Sequence, residues 1–298
     1  MLRSLEMEIT TFCNEKCVHC YHPENLSARH LEDIDLFDRM LAEFAEMGFI
    51  YLTLTGGEPL LNPKFKEIFK SGQKNRYSIS VKTNGTLIDE DISVFFSEMK
   101  PEEVTISLYS SDSYEHDSIT GFHGSFERSM NGLKLLKKHG VKCSALTPVL
   151  KGVRKWKELY ELMNSMDIFW SCSANIVSAF DNRESVEELK NSYDTYKDFF
   201  EFVNRYEDQK REINLSEIYT GCMAGIKKVA VDQDFFVRPC LDFYERAGKY
   251  TGGNAKELFD RSRKMFEEIL VKTPCVSCSA AKLCVPCPAH IKIIGGMG

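Results

Sequence analysis

The sequence contains no apolar run that approaches the roughly 20 residues needed to cross a bilayer. Its first residues, MLRSLEMEITTFC, lack the long apolar core of a secretory signal. The formal net charge is −6, so there is no excess of basic residues with which to bind nucleic acid. Internal repeats and low-complexity tracts are also absent from the 298 residues. These absences predict a cytoplasmic protein that binds neither a membrane nor nucleic acid.

Cysteine, in contrast, is abundant, with 11 residues in the chain. Disulfides are rare in a reducing cytosol, so clustered thiols are better explained as metal ligands. Nine of the cysteines fall into groups near the two ends, and only Cys143 and Cys172 stand alone. The distribution therefore favours metal binding at both ends of the chain.

Three cysteines lie close together near the N-terminus, in the order Cys13-x3-Cys17-x2-Cys20. Three thiolates can hold three irons of a 4Fe–4S cluster and leave the fourth iron open to a small molecule. An open iron can activate what it binds, so this pattern favours a redox enzyme. Zinc is the alternative, with His19 or His22 as a fourth ligand.

Hydrophobic periodicity predicts six strands separated by helices. The predicted strands cover residues 5–10, 49–55, 77–83, 103–108, 141–150 and 167–177. This alternation is typical of parallel βαβ units and predicts an α/β fold, either an incomplete barrel or an open doubly wound sheet. Active-site residues are then expected in the loops after the carboxyl ends of the strands.

Four candidate motifs follow the first four predicted strands. They are the three cysteines, Gly56-Gly57-Glu58-Pro59, Asn84-Gly85 and Ser107-Leu108-Tyr109. Taken alone, the second is a tight turn and the third is a common turn dipeptide. Because parallel strands end at one edge of a sheet, the four together predict a single site.

The order of these motifs resembles that of the radical S-adenosylmethionine (SAM) superfamily, over nearly the whole chain. The hallmark of that family is C-x3-C-x-φ-C, and this chain has CNEKCVHC with His19 at φ. The segment TGGEP matches the second family signature, and HDSITGFHGSFERSMNGL resembles the loop and helix that follow. The resemblance implies a partial (β/α)6 TIM-like barrel, with a 4Fe–4S cluster on Cys13, Cys17 and Cys20 and SAM on its open iron.

The resemblance also implies the residues of the SAM site. The backbone of the GGEP segment and the Glu58 carboxylate would hold the SAM amino group. Ser107 would contact the SAM ribose or carboxylate, with Tyr109 in place of the usual Asp. Arg128 would pair with the SAM carboxylate, unless it is an ordinary solvated helix residue. The implied SAM-binding set is Gly56, Gly57, Glu58, Pro59, Asn84, Ser107 and Arg128.

The implied activity is reductive cleavage of SAM to methionine and a 5′-deoxyadenosyl radical, which takes hydrogen from an unactivated carbon. By the same resemblance, a flavodoxin or ferredoxin donates the electron. The cofactor supplies the difficult chemistry, while the barrel aligns the reacting atoms and excludes water.

The second cysteine group resembles a SPASM domain, which usually binds two auxiliary 4Fe–4S clusters. The expected division is a barrel at residues 1–215, with 178–215 as a polar bridge, and a SPASM/twitch-like domain at 216–298. The six candidate ligands are Cys222, Cys240, Cys275, Cys278, Cys284 and Cys287. The chain departs from the family in lacking a glycine near Phe235, in an x2 rather than x3 last gap, and in lacking a seventh cysteine.

Six cysteines cannot fully ligate two such clusters, so three alternatives stay open. In the first, Cys222, Cys240 and Cys287 hold one cluster and the other three hold a second, each with an open or non-cysteine site. In the second, four of the six hold a single twitch-like cluster. In the third, the last four cysteines form a zinc knuckle, a role that their spacing suits.

Cys143 and Cys172 lie on the fifth and sixth predicted strands. One interpretation is that each is a small apolar filler of the core. The other, by analogy with epimerase-type relatives, is that one of them donates a hydrogen atom to a substrate radical.

Members of the SPASM/twitch group most often modify ribosomally made peptides or proteins, so the resemblance predicts such a substrate. The N-terminus has no room for a leader-recognition domain of roughly 80 residues, so a separate recognition protein or direct docking is expected. One rival is small-molecule radical SAM chemistry, such as haem-precursor processing or alcohol dehydrogenation. The other is a zinc-binding interaction protein on a barrel scaffold.

Overall fold

The computed structural model describes residues 2–23, 27–173, 176, 184–189 and 224–271. The strands are β1 (Arg3–Glu8), β2 (Phe49–Thr55), β3 (Ser78–Thr83), β4 (Glu103–Ser107), β5 (Cys143–Pro148), β6 (Phe169–Ser173), β7 (Lys228–Val231), β8 (Phe236–Arg238) and β9 (Gly248–Lys249). The helices are α1 (Ile34–Glu46), α2 (Phe65–Lys74), α3 (Glu90–Met99), α4 (Ser113–Thr120), α5 (Ser125–Lys138), α6 (Trp156–Ser165), α7 (Glu184–Glu187) and α8 (Ala255–Val271), with a 3₁₀ turn at Pro59–Leu61. No helix in the described ranges is long and apolar enough to span a bilayer.

All of these strands belong to one sheet, in the order β6-β5-β4-β3-β2-β1-β7-β8-β9. Strands β1 to β6 are parallel and follow one another in chain order, which confirms the predicted α/β fold of a partial (β/α)6 barrel. Strand β7 pairs with the other edge of β1 in parallel, and β8 and β9 continue the sheet antiparallel. Part of the predicted C-terminal domain is therefore hydrogen-bonded directly to the barrel sheet.

Helix α1 shows why the crossover segments are helical. Its first turn is capped by the Asp33 side chain, which accepts a hydrogen bond of 2.8 Å from the Leu36 N–H. Gly48, with φ 85°, follows its last turn and lets the chain reverse into β2. Burying each large apolar side chain contributes about 1.5–3 kcal/mol to stability. The buried face consists of Phe37, Met40, Leu41 and Phe44.

The two faces of the parallel strands differ in chemistry. On β1, Leu5 and Met7 face the apolar core under the helices, while Glu6 and Glu8 alternate with them. The same alternation places Lys82 of β3 and Thr105 of β4 on the face of Glu6. Parallel sheets are usually apolar on both faces. The polar face of this sheet departs from that rule because it is the inner surface of the partial barrel, and its polar groups suit it to binding.

Glu6 connects three strands across this inner face. Its Oε1 lies 3.2 Å from Lys82 Nζ and its Oε2 lies 2.8 Å from Lys228 Nζ. Burial alone would raise the pKa of Glu6, but the two lysines more than offset it, so the pKa is lowered. The pairs fasten β7 and β3 to β1.

Replacing Glu6 by Gln should lower the free energy of unfolding at neutral pH by about 1–2 kcal/mol, because both lysines lose their partner while staying partly solvated. The lowered pKa means that this stabilisation is fully present above the ordinary glutamate pKa and is lost as the pH falls from there through the lowered pKa of folded Glu6. Urea unfolding at neutral pH and at about pH 3 measures both effects. The exposed Glu102→Gln variant is the control, and an equal loss for Glu6→Gln at both pH values would contradict the expectation.

Candidate functional site

The cysteine loop, residues 13–20, follows β1 and contains neither helix nor strand. Its backbone is held by the end of α4: the Lys16 N–H donates to the Thr120 carbonyl and the Val18 N–H to the Ile119 carbonyl, both at 2.9 Å. A loop without internal structure keeps its shape only through such neighbours. Helix α4 is therefore one support of the cysteine loop.

The thiols of the cysteine loop form a coupled group, and no disulfide involves them. Burial raises the pKa of the Cys13 thiol to about 12, and the Glu58 carboxylate adds to the shift. The pKa of Cys17 is also raised, mainly by burial, with repulsion from Glu15, Cys20 and Cys13 contributing. Thiols in such surroundings become thiolates only when a strong positive charge joins them, as iron would.

The donor set of Cys13, Cys17 and Cys20 therefore fits a 4Fe–4S cluster. In the described part of the chain, no three His, Cys, Asp or Glu side chains lie close enough to hold a single metal ion. A cluster has a different requirement, since each thiolate binds its own iron.

The GGEP loop packs backbone to backbone against the residues before the first cysteine. The Gly57 N–H donates to the Thr10 carbonyl and the Glu58 N–H to the Phe12 carbonyl, both at 2.8 Å. A Cβ at Gly57 would lie 2.3 Å from the Phe12 oxygen, and one at Gly56, where φ is +138°, would lie 2.3 Å from the Thr10 oxygen. Only glycine permits this approach, which joins the two predicted motifs as one unit.

The Glu58 carboxylate is buried and accepts three hydrogen bonds from within the chain. Its Oε1 accepts hydrogen bonds from Thr83 Oγ1 at 2.7 Å and from the Leu60 N–H at 3.0 Å, and its Oε2 accepts from the Asn84 N–H at 2.8 Å. Burial raises the pKa of Glu58 to about 7, although these donors oppose the shift. Contact of this carboxylate with SAM stays a prediction, and its observed task is to join the ends of β2 and β3.

Asn84 connects the loop after β3 to the cysteine loop. Its Nδ2 donates to Asn14 Oδ1 at 2.9 Å, and Asn14 Nδ2 donates to Thr86 Oγ1 at 2.8 Å. Its carbonyl accepts from Ser129 Oγ of α5 at 2.7 Å. The sequence predicted Asn84 as a site residue but not Asn14. The one feature of Asn14 that could have indicated its role is a short amide side chain directly after Cys13.

The remaining predicted SAM residues lie in different settings. Ser107 ends β4 at the carboxyl edge of the sheet, where Pro59 also begins the 3₁₀ turn. Tyr109, two residues on, is buried with its hydroxyl 3.9 Å from Cys17 Sγ. Arg128 is exposed on α5, with its guanidinium 5.1 Å from the centre of the Phe122 ring. Its pairing with SAM stays a prediction.

A cavity of about 700 Å³ opens between the end of β1, the segment after the cysteine loop, and the β7–β8 hairpin. Glu8 lies at its base, accepts a 2.7 Å hydrogen bond from the Tyr21 hydroxyl and pairs with the buried Arg238. Above them, Arg246 pairs with Asp232 at 2.9 Å. Charged side chains thus line the cavity together with Pro23, Tyr244 and Met265, and the cavity adjoins the cysteine loop.

Among the predicted auxiliary ligands, Cys240 lies within the described residues, just after β8. It is buried in a small apolar cluster with Ala224, Phe243 and Phe266. The other five lie outside the described residues: Cys222, Cys275, Cys278, Cys284 and Cys287.

Cys143 and Cys172 are partly buried and pack against the main apolar core. Cys143 lies on the same face of β5 as Ala145, and Cys172 lies on the same face of β6 as Trp170. Ala145 and Trp170 both belong to that core. Burial raises the pKa of the Cys143 thiol to about 11. This packing favours the filler interpretation, and hydrogen donation by either residue stays a prediction.

The part of the chain that matches known proteins includes the same motifs. The model of the radical SAM superfamily matches residues 7–164. The antilisterial bacteriocin subtilosin biosynthesis protein AlbA of Bacillus subtilis (strain 168) is 26% identical over 244 residues, or 79% of this chain and 54% of AlbA. The chain therefore spans about half the length of AlbA. The AdoMet-dependent heme synthase of Methanosarcina barkeri is 25% identical, over 97% of this chain and 91% of the synthase.

Solved structures share the fold over almost the whole chain. SuiB of Streptococcus suis, bound to S-adenosylmethionine, superposes with a TM-score of 0.75 at 18% identity, covering 99% of this chain and 74% of SuiB. The AdoMet-bound anSMEcpe superposes with a TM-score of 0.75 at 22% identity, covering 95% and 88%. The family match spans more than half of the chain, including the cysteine and GGEP loops. The protein is therefore an enzyme of the radical SAM superfamily.

Proposed function

We propose that this enzyme modifies a ribosomally synthesised peptide or protein from which it abstracts hydrogen. Two fold neighbours support a peptide substrate. SuiB bound to the precursor peptide SuiA superposes with a TM-score of 0.73 over 99% of this chain, and anSMEcpe bound to the Cp18Cys peptide with 0.74 over 96%. The description of AlbA as a bacteriocin biosynthesis protein points the same way.

The observation that carries the proposal is the cavity beside the cysteine loop, with its charged side chains. Its lining includes Glu8, Arg29, Asp232, Arg238 and Arg246. A peptide presents backbone amides and polar side chains along its length, which such groups can hydrogen-bond.

The chain's own residues have distinct tasks in this proposal. Cys13, Cys17 and Cys20 hold the cluster, and the implied SAM-binding set holds SAM beside it. When bound, the cluster and SAM together supply a 5′-deoxyadenosyl radical. The Glu58 carboxylate keeps the GGEP loop in place, and the partial barrel excludes water from the reacting atoms.

The remaining parts of the proposal concern the C-terminal region and the partners. Residues 216–298, after the bridge at 178–215, form a SPASM/twitch-like domain whose six cysteines bind one or two auxiliary clusters. A flavodoxin or ferredoxin donates electrons. A separate recognition protein presents the peptide leader, or the peptide docks directly on the barrel.

Haem-precursor processing is the second candidate, because the Methanosarcina barkeri heme synthase matches along nearly its whole length. A different small-molecule substrate has weaker support, from the fold of BtrN in complex with AdoMet and 2-DOIA at a TM-score of 0.55. Either would replace the peptide with a small molecule in the same barrel.

A substrate competition separates these candidates. The anaerobically reconstituted enzyme is given SAM and dithionite, with either short peptides encoded beside its gene or iron-coproporphyrin III. We expect a peptide to increase 5′-deoxyadenosine formation and to change in mass. Stimulation and conversion by the porphyrin, with no peptide affected, would overturn the peptide proposal in favour of the second candidate.

A further inference from the structure

A chain of buried hydrogen bonds leads from α4 to the cysteine loop. The Tyr109 N–H donates to His116 Nδ1 at 3.3 Å, and His116 Nε2 lies 3.1 Å from Ser125 Oγ. Ser125 Oγ donates to Glu15 Oε1 at 2.5 Å, and the Cys17 thiol donates to Glu15 Oε2 at 3.6 Å. We call His116, Ser125 and Glu15 the Glu15 relay.

The first bond fixes the direction of the Glu15 relay. A backbone N–H can only donate, so His116 Nδ1 is the acceptor and the ring proton is on Nε2. That N–H donates to Ser125, whose own proton is then available to Glu15. The neutral ring that this requires agrees with the pKa of His116, which burial lowers to about 4.

The Glu15 relay does not serve to cap the helices that carry it. Helix α4 is capped by Asp112, whose side chain accepts from the Glu115 N–H. The start of α5 is held by the Asp117 carboxylate, which accepts from the Gly124 N–H at 2.6 Å and from the Phe126 N–H at 3.0 Å. Both helix ends are thus satisfied without His116 or Ser125.

Burial makes such a chain of polar groups costly unless each bond is made. His116 and Ser125 are 0% exposed and Glu15 is 7% exposed. The Glu15 carboxylate lies beside the Cys17 sulfur, 3.6 Å from it. The reduction potential of an iron–sulfur cluster depends on hydrogen bonds to its sulfur ligands and on solvent access.

We propose that His116 is a positioning residue for the SAM-binding cluster. Acting through Ser125, it holds Glu15 against Cys17, keeps water away from that sulfur, and so keeps the cluster potential low. Releasing Glu15 lets water donate hydrogen bonds to the sulfur and raises the potential. The proposal concerns the cluster and is independent of the substrate class.

Two substitutions of His116 separate its two hydrogen bonds. In His116→Asn, the amide reaches the position of Nδ1 and can still accept from Tyr109, but it cannot reach Ser125. In His116→Gln, the amide reaches the position of Nε2 and can still donate to Ser125. Because both variants remove the ring, a general packing defect would affect them alike.

The test is an EPR-monitored redox titration of the anaerobically reconstituted enzyme, following the signal that changes when SAM is added. We expect a raised midpoint potential in His116→Asn and a nearly unchanged one in His116→Gln. Ser125→Ala should behave like His116→Asn, and combining them should add nothing further. Iron release to a chelator should be about tenfold faster in the two disrupted variants, as for other lost second-sphere contacts.

The control is His139, a partly buried residue just after α5 whose Nε2 lies 2.8 Å from Glu90 Oε1. His139→Asn should change neither the potential nor the iron release. Equal behaviour of His116→Asn and His116→Gln, or an unchanged potential in both His116→Asn and Ser125→Ala, would overturn the proposal. If His116→Asn fails to fold, the comparison of Ser125→Ala with wild type decides it.

Discussion

Replacement of Cys13, Cys17 and Cys20 together by Ala should reduce 5′-deoxyadenosine formation from SAM to the rate without enzyme. The three thiols share one loop and are the proposed ligands of the SAM-binding cluster, so the triple variant should bind no such cluster. Iron content should fall by about four atoms per chain, the content of one cubane. Product is measured by chromatography after anaerobic incubation with SAM and dithionite.

The matched controls replace single cysteines that lie on strands instead of in the cysteine loop. Cys143→Ala and Cys172→Ala should each keep SAM cleavage within about twofold of wild type, since both side chains pack against the apolar core. If one of them cleaves SAM normally but fails to complete product, it is the hydrogen donor. SAM cleavage retained by the triple variant would refute the assignment of the cluster to the cysteine loop.

Gly57→Ala should be one of the most damaging single substitutions outside the cysteines. The added Cβ would lie 2.3 Å from the Phe12 oxygen and 2.6 Å from the Phe12 carbonyl carbon. Both are backbone atoms next to Cys13, so either the GGEP loop or the cysteine loop must move. Displacement of a reacting group by about 1 Å can cost a hundredfold in rate, and we expect a loss of SAM cleavage on that order.

Gly140→Ala is the control for general loss of a glycine. Gly140 has φ +67° and no atom within 4 Å of an added Cβ. The Gly140→Ala variant should therefore be about 1 kcal/mol less stable than wild type but equally active. Both variants are assayed for iron content, SAM binding and SAM cleavage. Wild-type values for Gly57→Ala in all three would show that the contact between the two loops is dispensable.

The strands of the fold could be predicted because each is determined by a short stretch of sequence. The strand predicted at 49–55 is observed as Phe49–Thr55, and the one predicted at 103–108 as Glu103–Ser107. Apolar runs bounded by turn residues determine such elements. The loops that follow them, with the cysteines and GGEP, could therefore be assigned to one edge of the sheet.

The non-local parts were not predictable. Helix α4 is short, and its sequence SYEHDSIT has no apolar stripe that would reveal it. Only its cap at Asp112 and its end at Gly121 mark it locally. The hydrogen bond between Ser125 and Glu15 joins residues 110 positions apart. Pairing of β7 with β1 likewise depends on contacts across more than 200 residues. No short pattern encodes these contacts, because they arise only when the elements pack.

The orientation of Cys143 and Cys172 is a similar case. Successive side chains of a strand point to opposite faces, so a shift of one residue in register moves a side chain from the core to the inner face. The sequence placed both cysteines on strands correctly but could not decide between the faces. The register of β5 against β4 and β6 decides it.

The most direct test is to reconstitute the protein anaerobically, count iron and sulfide, and assay 5′-deoxyadenosine from SAM with dithionite. We predict SAM cleavage with about eight irons if there is one auxiliary cluster, or about twelve if there are two. Zinc without iron, and no SAM cleavage, would contradict the assignment of a SAM-binding cluster to Cys13, Cys17 and Cys20.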